Sequence, residues 1–235
     1  MKTKNLFKKN FQLKETSCTI ISDNEYAIDI AISAIKFNRR QLELYLEDHP
    51  EFEYSLTPVR VENGPRIVRL MAEYAEKADV GPMAAVAGVL ADLAVEEMLR
   101  IGCRVAVVEN GGEVSAVSDK PIDVALLAGD HPLSKSLAFR LEDFPMGVAT
   151  SSGMFSHALS FGEAEAVTIF AVSAGLADAV ATATGNLIKG NERRDVVKLG
   201  VEKAISIDGV KGALIIYGDF IGTGGKIPKI VKLKE

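Results

Sequence analysis

Two side chains that could bind a metal ion lie four residues apart in an alanine-rich segment. Residues 176–186 place Asp178 and Thr182 among alanine, valine and glycine, a composition that favours an α-helix closing at Gly185. Residues four apart share one helix face, so the carboxylate and the hydroxyl would project from consecutive turns. Because Mg²⁺ prefers oxygen ligands and leaves several positions to water and phosphate, the spacing predicts a Mg²⁺ site at Asp178 and Thr182.

The same pair also has a purely structural interpretation. A helical threonine often bonds back to the carbonyl four residues earlier. Asp178 could be solvated or could pair with a basic residue. Spacing alone leaves both interpretations open.

A glycine pair upstream could bring a ligand close to the main chain. Gly111 and Gly112 follow a predicted strand at 104–109 and precede another that runs to 117. Asn-Gly between two strands is a strong hairpin signal, so a plain turn explains the pattern. The functional alternative is that the glycines let a phosphate or a ring reach main-chain N–H groups, with Glu113 nearby.

A second group of polar residues follows another predicted strand. Ser151, Ser152 and the neighbouring N–H groups would hold a phosphate, and His157 is the nearest candidate acid–base residue. The alternative for His157 is a structural histidine that only satisfies internal hydrogen bonds.

The elements that must position these residues predict an α+β fold of mostly antiparallel sheets layered with helices. Hydrophobic periodicity and turn signals predict the following elements. Helices are expected at 23–47, 65–78, 83–101, 176–185 and 195–204, strands at 18–21, 104–109, 113–117, 122–127, 136–141, 147–149, 166–172, 212–217 and 226–231, and an extended segment at 51–62. Small residues at 84–91 indicate that a neighbouring helix or sheet packs closely there. Because no linker interrupts the pattern, we expect one domain over residues 1–235, with its core motifs at 81–190.

Composition excludes several classes of protein. The 235 residues carry a formal net charge of −5, which argues against a nucleic-acid-binding surface. The chain has neither an apolar run of eighteen residues nor the apolar core of a signal peptide, so we expect no membrane partner and a cytoplasmic location. Cys18 and Cys103 are too few and too far apart for a disulfide framework or a zinc site and are expected to be buried free thiols.

The order of these motifs resembles the ApbE family, the FAD:protein FMN transferases. The resemblance covers roughly residues 81–190, and the whole chain looks like a small uncharacterised subgroup of that superfamily. Its motifs are Gly81-Pro82-Met83-Ala84-Ala85-Val86-Ala87-Gly88, Glu109-Asn110-Gly111-Gly112, Thr150-Ser151-Ser152-Gly153, and the segments 156–162 and 176–186.

The resemblance implies a ligand set. Mg²⁺ would be held by Asp178, Thr182 and a main-chain carbonyl from about 88–90, and would polarise the FAD pyrophosphate so that FMN passes to a protein threonine. FAD or a related flavin nucleotide would contact the residues that match the family's motifs, which are Gly111, Gly112, Glu113, Thr150, Ser151, Ser152 and Gly153. We also expect a homo-oligomer.

The chain departs from the family pattern at several positions. Ala87 stands where the family has a lysine, Glu113 replaces the usual aspartate, and His157 is followed by Ala-Leu-Ser-Phe-Gly. The family's N-terminal Met-Gly-Thr strand has no counterpart near Cys18.

Three functions are consistent with the sequence. The first is a Mg²⁺-dependent transferase or hydrolase acting on a flavin or other nucleotide pyrophosphate. The second, suggested by the resemblance alone, is an accessory role in sulfide assimilation into homocysteine, for which Cys18 or Cys103 would have to be accessible and of low pKa. The third is a ligand-binding or oligomeric scaffold without catalysis.

Overall fold

The computed structural model describes residues 6–126, 134, 136–152 and 162–233. The helices are α1 (Glu25–Asp48), α2 (Pro50–Tyr54), α3 (Arg66–Ala78), α4 (Val86–Arg100), α5 (Ala174–Leu187) and α6 (Arg193–Ile205), and a 3₁₀ turn at Pro82–Ala85 precedes α4. The strands are β1 (Phe7–Leu13), β2 (Thr16–Ser22), β3 (Ala106–Asn110), β4 (Glu113–Val117), β5 (Ile122–Ala125), β6 (Leu137–Leu141), β7 (Met146–Ser151), β8 (Ala166–Ala171), β9 (Val210–Tyr217), β10 (Phe220–Gly225) and β11 (Lys229–Lys232).

Antiparallel pairing organises the strands into two sheets. The larger sheet has eight strands in the order β1-β2-β3-β4-β7-β8-β9-β10, and the smaller has the order β11-β6-β5. Among the strands of the described residues, every pair is antiparallel. This mixture of helices and antiparallel sheets confirms the predicted α+β class.

The larger sheet lies between a helical layer and the smaller sheet. On one face, α1 and α4 bury Ile28, Ile35 and Met98 against β2 and β3, while α5 and α6 cover β7, β8 and β9, and α3 packs on α5. On the other face, Phe170 of β8 packs against Phe139 of β6 with ring centroids 4.8 Å apart. Since β8 is buried on both faces, it reads in the sequence as a continuous apolar run.

Three segments differ from the sequence-based expectation, and the first is Phe7–Leu13, where no strand was predicted and β1 forms. Residues 51–62 were expected to be extended, but Pro50–Tyr54 form the short helix α2. Proline has no backbone N–H, and the first residue of a helix does not need one. Pro50 therefore ends α1 and also starts α2. No strand was predicted at Phe220–Gly225, which form β10.

The glycines of β10 explain why the sequence pattern did not predict this strand. A Cβ on Gly222 would lie 2.4 Å from a methyl of Val197, and one on Gly224 would lie 2.4 Å from a methyl of Val201. The two glycines alternate along the strand and face α6, so the helix can pack close to the strand. Glycine also lowers the strand propensity of the segment.

No single helix in the described part of the chain is long and apolar enough to cross a membrane. The helices Arg66–Ala78 and Pro82–Arg100 are long and apolar enough only as a pair, which is bent by 102°.

Candidate functional site

Helix α5 carries the two predicted metal ligands. It begins directly after β8, and the hydroxyl of Ser173 accepts a hydrogen bond from the N–H of Leu176 at its first turn. Asp178 and Thr182 are both half-buried and lie on consecutive turns, as the spacing predicts. One helical turn of about 5.4 Å separates them along the helix axis.

The start of α4 packs directly against the start of α5. A Cβ on Gly88 would lie 2.3 Å from the carbonyl oxygen of Ala174, so only glycine allows this approach. The small residues at 84–91 are therefore explained by a neighbouring helix. The contact brings the N–H of Gly88 to 2.9 Å from Oδ2 of Asp178.

A second carboxylate bonds in the opposite direction across the same contact. Asp92, on α4, accepts the N–H groups of Ala174 at 2.9 Å and Gly175 at 2.8 Å. Its Oδ1 also accepts the hydroxyl of Ser115, on β4, at 2.7 Å. Each helix thus has amides of its first turn capped by a carboxylate of the other helix, where the helix dipole favours negative charge.

The β3–β4 hairpin lies beside the same helix start. Asn110 is buried, and its Nδ2 donates to the carbonyl of Ala87 at 3.0 Å. Gly111 and Gly112 have φ values of +69° and +119°, which the turn requires and which favour glycine. Their N–H groups donate to the carbonyl of Ser17 and to Oε1 of Glu109, so both amides have protein acceptors, as in a plain turn.

Glu113 and Asp178 are a pair of carboxyl groups, and the charge of Glu113 opposes the ionisation of Asp178. Burial raises the pKa of Glu113 to about 7, and the charge of Glu109 adds to this effect. Burial also holds the pKa of Asp178 well above its usual range, and the charges of Glu113 and Asp92 add to it, against the opposing bonds from Gly88 and Ala87. Within the described part of the chain, the groups that shift these two pKa values include no Lys or Arg.

The end of β7 lies at the same end of the sheet. Val114 pairs with Val148, and the two strands are antiparallel. Residues 149–151 therefore continue β7 in the direction of Glu113, where β4 begins. Thr150 lies opposite Thr168 on β8, with their hydroxyls 2.9 Å apart. Ser151 is half-buried and Ser152 is buried. Gly153 and His157 fall outside the described residues.

A cavity of about 350 Å³ opens beside Thr182. Its walls come from α2 and the following loop, from the turn before α4, and from the second half of α5, and are lined by Glu53, Tyr54, Ser55, Leu56, Val80, Gly81, Met83, Ala84, Thr182 and Asn186. Tyr54 is 75% exposed and Leu56 is 62% exposed. The volume lies within the roughly 300–1,000 Å³ of small-molecule sites.

The donor set at Asp178 fits a weakly held hard cation. Among the described residues, no group of three or more His, Cys, Asp and Glu side chains could hold a metal. An ion here would therefore depend on one carboxylate, the Thr182 hydroxyl and main-chain, water or phosphate oxygens, which is a set that Mg²⁺ accepts. A bound cation would favour the ionised forms of Asp178 and Glu113, whose pKa values are raised by burial and by the charge of neighbouring carboxylates.

Both cysteines are buried free thiols, as expected. Cys18 donates to Oδ1 of Asn110 at 3.4 Å. Burial, with the charge of Glu109, raises the pKa of Cys18 to about 12. A thiol of this kind is a poor nucleophile at neutral pH.

Several residues of this site have no local signal in the sequence. Asp92 and Asn110 bond to partners 23 to 92 residues away. Tyr54 and Ser55 enter the cavity wall through the packing of α2 on the turn before α4, and Asn186 enters it through the packing of α5 on the same turn. The one available signal was the run of small residues around Gly88.

Comparisons with known proteins agree on one family. A family model described as AbpE bacteria matches residues 2–206. A "UPF0280 protein" from Methanosarcina acetivorans is 39% identical over 227 residues, covering 96% of this chain and 89% of the relative.

Two solved structures share the fold at 15% sequence identity. They are the Pseudomonas stutzeri flavinyl transferase ApbE in its apo form, with a TM-score of 0.60 over 94% of both chains, and the ApbE protein of Thermotoga maritima, with a TM-score of 0.58 over 93% of this chain and 96% of that one.

Proposed function

The chain belongs to the ApbE-like family that the AbpE bacteria model describes, and from this membership we propose that it binds FAD or a related nucleotide pyrophosphate together with Mg²⁺ and transfers or hydrolyses a phosphoryl-linked group. The observation that carries the proposal is the pair of interacting carboxyl groups of Asp178 and Glu113, whose pKa shifts involve no described Lys or Arg, together with a cavity one helical turn from Asp178. Such a pair favours a cation, and the cavity has room for a ring.

The proposed metal ligands are Asp178 and Thr182. Gly88 donates to Oδ2 of Asp178, which holds the carboxylate on the α4 side of α5. When bound, Mg²⁺ would neutralise pyrophosphate oxygens and stabilise charge that develops on them. The amide bond from Gly88 orients the carboxylate before any ligand arrives, so little reorganisation accompanies binding.

The proposed ring site is the cavity beside Thr182. Tyr54, Leu56 and Met83 give it apolar surface, and Thr182 and Asn186 place polar atoms on the opposite wall. A planar ring buries apolar area against such walls while its edge finds hydrogen-bond partners. This arrangement would place the phosphates of the same ligand toward Asp178.

The phosphate-binding residues remain those proposed from the sequence. Thr150, Ser151 and Ser152 lie at the same sheet end as Glu113. The half-buried Ser151 is suited to donate to a phosphate oxygen. His157 is the proposed acid–base residue, and Gly153 is proposed to let the phosphate approach the main chain.

The sulfur-transfer alternative is less well supported. It would need an accessible thiolate, whereas Cys18 and Cys103 are buried and the pKa of Cys18 is raised to about 12. A scaffold that binds nucleotide without catalysis uses the same cavity, so only a turnover measurement distinguishes it from the enzyme. Chromatographic detection of FMN or AMP released from FAD would identify the enzyme.

Calorimetric titration with FAD, with and without Mg²⁺, tests the proposal. We expect the wild type to bind only weakly until both ligands are present, since one carboxylate neutralises only half the charge of Mg²⁺. Asp178→Ala is expected to weaken Mg²⁺-dependent binding by at least tenfold while the protein stays folded, because removing a carboxylate from an open site leaves no large cavity.

The control is Asp195→Ala, which removes an exposed carboxylate from the first turn of α6. It should bind FAD as the wild type does. Wild-type protein that binds no pyrophosphate ligand under any metal condition, or an Asp178→Ala variant that binds as tightly as the wild type, would contradict the proposal.

A further inference from the structure

A half-buried carboxylate outside the proposed ligand set fixes the helix that carries that set. Asp92 lies on α4, four residues after Gly88, and all three of its hydrogen bonds reach other elements. Oδ1 accepts Ala174 N–H and Ser115 Oγ–H, and Oδ2 accepts Gly175 N–H. The lengths of 2.7 to 2.9 Å are those of well-formed charge-assisted bonds.

The first turn of α5 has little freedom of position around this carboxylate. A Cβ on Gly147, in β7, would lie 2.1 Å from the carbonyl carbon of Ser173, and a Cβ on Gly88 would lie 2.3 Å from the carbonyl oxygen of Ala174. The turn is therefore in direct contact with β7 on one side and α4 on another. Asp92 supplies the polar bonds at this contact, since the amides of a helix's first turn have no intrahelical acceptor.

Ser115 extends the connection to the hairpin that carries Glu113. It lies two residues after Glu113 on β4, so it projects from the same face of the strand. One carboxylate thus joins α4, the first turn of α5 and β4. Those three elements carry Gly88, Asp178 and Glu113.

We propose that Asp92 is a positioning residue that holds α5 in register with α4 and β4, so that Asp178 meets Gly88 and, with Thr182, faces the candidate ligand site. The effect on ligand binding rests on the proposed function, whereas the effect on α5 does not. Asp92 is separated from the cavity by the α4–α5 contact and is assigned no contact with a ligand.

Asp92→Asn tests the role with a minimal change in shape. If the amide oxygen of Asn takes the Oδ1 position, the amide nitrogen faces the N–H of Gly175. If it takes the Oδ2 position, the nitrogen faces the N–H of Ala174, and the Ser115 hydroxyl can turn to accept. Either way one main-chain amide of α5 loses its acceptor and meets a donor.

The matched control is Asp23→Ala, which removes the acceptor of two main-chain amides just before β3, at the end of that strand away from Asn110. Oδ1 of Asp23 accepts the N–H groups of Arg104 and Val105, each at 3.1 Å. Asp23→Ala therefore destabilises the fold by the same kind of loss, away from α5. The two variants are compared by thermal melting so that binding is measured on proteins of known stability.

Two measurements decide the proposal. Hydrogen exchange of the α5 amides at 174–182 is expected to be at least tenfold faster in Asp92→Asn and unchanged in Asp23→Ala. In calorimetry with FAD, the Mg²⁺ concentration that gives half-maximal binding is expected to rise at least fivefold in Asp92→Asn and to stay within twofold of the wild type in Asp23→Ala.

The outcomes separate this inference from the proposed function. Exchange in α5 that does not differ from the wild type overturns the positioning role, and so does wild-type Mg²⁺ dependence in Asp92→Asn. If the wild type binds no nucleotide, the proposed function fails and exchange alone decides the positioning role.

Should Asp92→Asn fail to fold, Ser115→Ala replaces it, because this variant removes only the bond to β4. Faster exchange confined to α5 then supports the role, and unchanged exchange overturns it.

Discussion

Glu113 makes stability depend on pH. Its pKa is raised from 4.5 to about 7 by burial and by Glu109, so the folded chain keeps a proton that the unfolded chain has released. The stabilising effect of this proton is complete below about pH 4.5 and is lost as the pH rises through about 7. The slope is at most about 1.4 kcal/mol for each pH unit.

Glu113→Gln is expected to remove that dependence. The amide cannot ionise, so the variant should be more stable than the wild type at pH 8, by at most about 3 kcal/mol, and similar to it at pH 4.5. Urea unfolding at the two pH values measures the difference. Glu142→Gln, at an exposed position, is the control and should follow the wild type at both. A Glu113→Gln variant that is less stable than the wild type at pH 8 would contradict the assignment.

At the residue scale, the sequence predicted side chains related by helical spacing and missed those related by packing. Asp178 and Thr182 could be assigned to one helix face because a period of 3.6 residues fixes their relation. Asp92 could not be assigned, because its partners lie 82 and 83 residues away and no local pattern specifies that contact. The bonding of the Gly111 and Gly112 amides likewise depends on Ser17 and on the rotamer of Glu109.

Among the elements, the α4–α5 contact is the one most sensitive to side-chain size. Gly88→Ala is expected to destabilise the fold by about 1–3 kcal/mol despite the better helix propensity of alanine, because the new methyl would meet the carbonyl of Ala174 at 2.3 Å. Denaturant unfolding measures the change.

Gly64→Ala provides the comparison for this prediction. A Cβ at Gly64 meets its nearest atom, on the Tyr45 ring, at 3.4 Å, which is an ordinary contact. That variant should lie within about 1 kcal/mol of the wild type. Equal stability of the two alanine variants would show that α4 and α5 can move apart at no cost.

Most helices and strands could be predicted because their hydrophobic periods are regular, as in α3 and β8. Two of the misassigned segments, α2 and β10, share a cause: residues that usually end an element stand inside one. Pro50 occupies the first position of a new helix, and Gly222 and Gly224 sit beneath Val197 and Val201 in a strand. Only the neighbouring element reveals those roles.

At the scale of the whole molecule, the N-terminal region shares a sheet and a helix layer with the site. Strand β2 pairs with β3 from Cys18–Asn110 to Ser22–Ala106, and α1 packs on α4. We therefore predict one domain over residues 1–235 and expect limited proteolysis to give no stable fragment that begins near Gly81. Accumulation of such a fragment with native circular dichroism would contradict the prediction. The homo-oligomer and the cytoplasmic location remain predictions from the sequence.

The crowding of Asp178, Glu113 and Asp92 affects how long the protein would persist in a cell. Carboxylates brought together without a counter-charge oppose folding, so the unliganded chain is less stable than its packing alone would make it. A ligand that binds only the folded state adds stability in proportion to RT ln(1 + [L]/Kd). Proteases remove unfolded chains continuously, so a modest gain in stability raises the steady-state amount of protein. The abundance of this chain would then follow the supply of its own ligand.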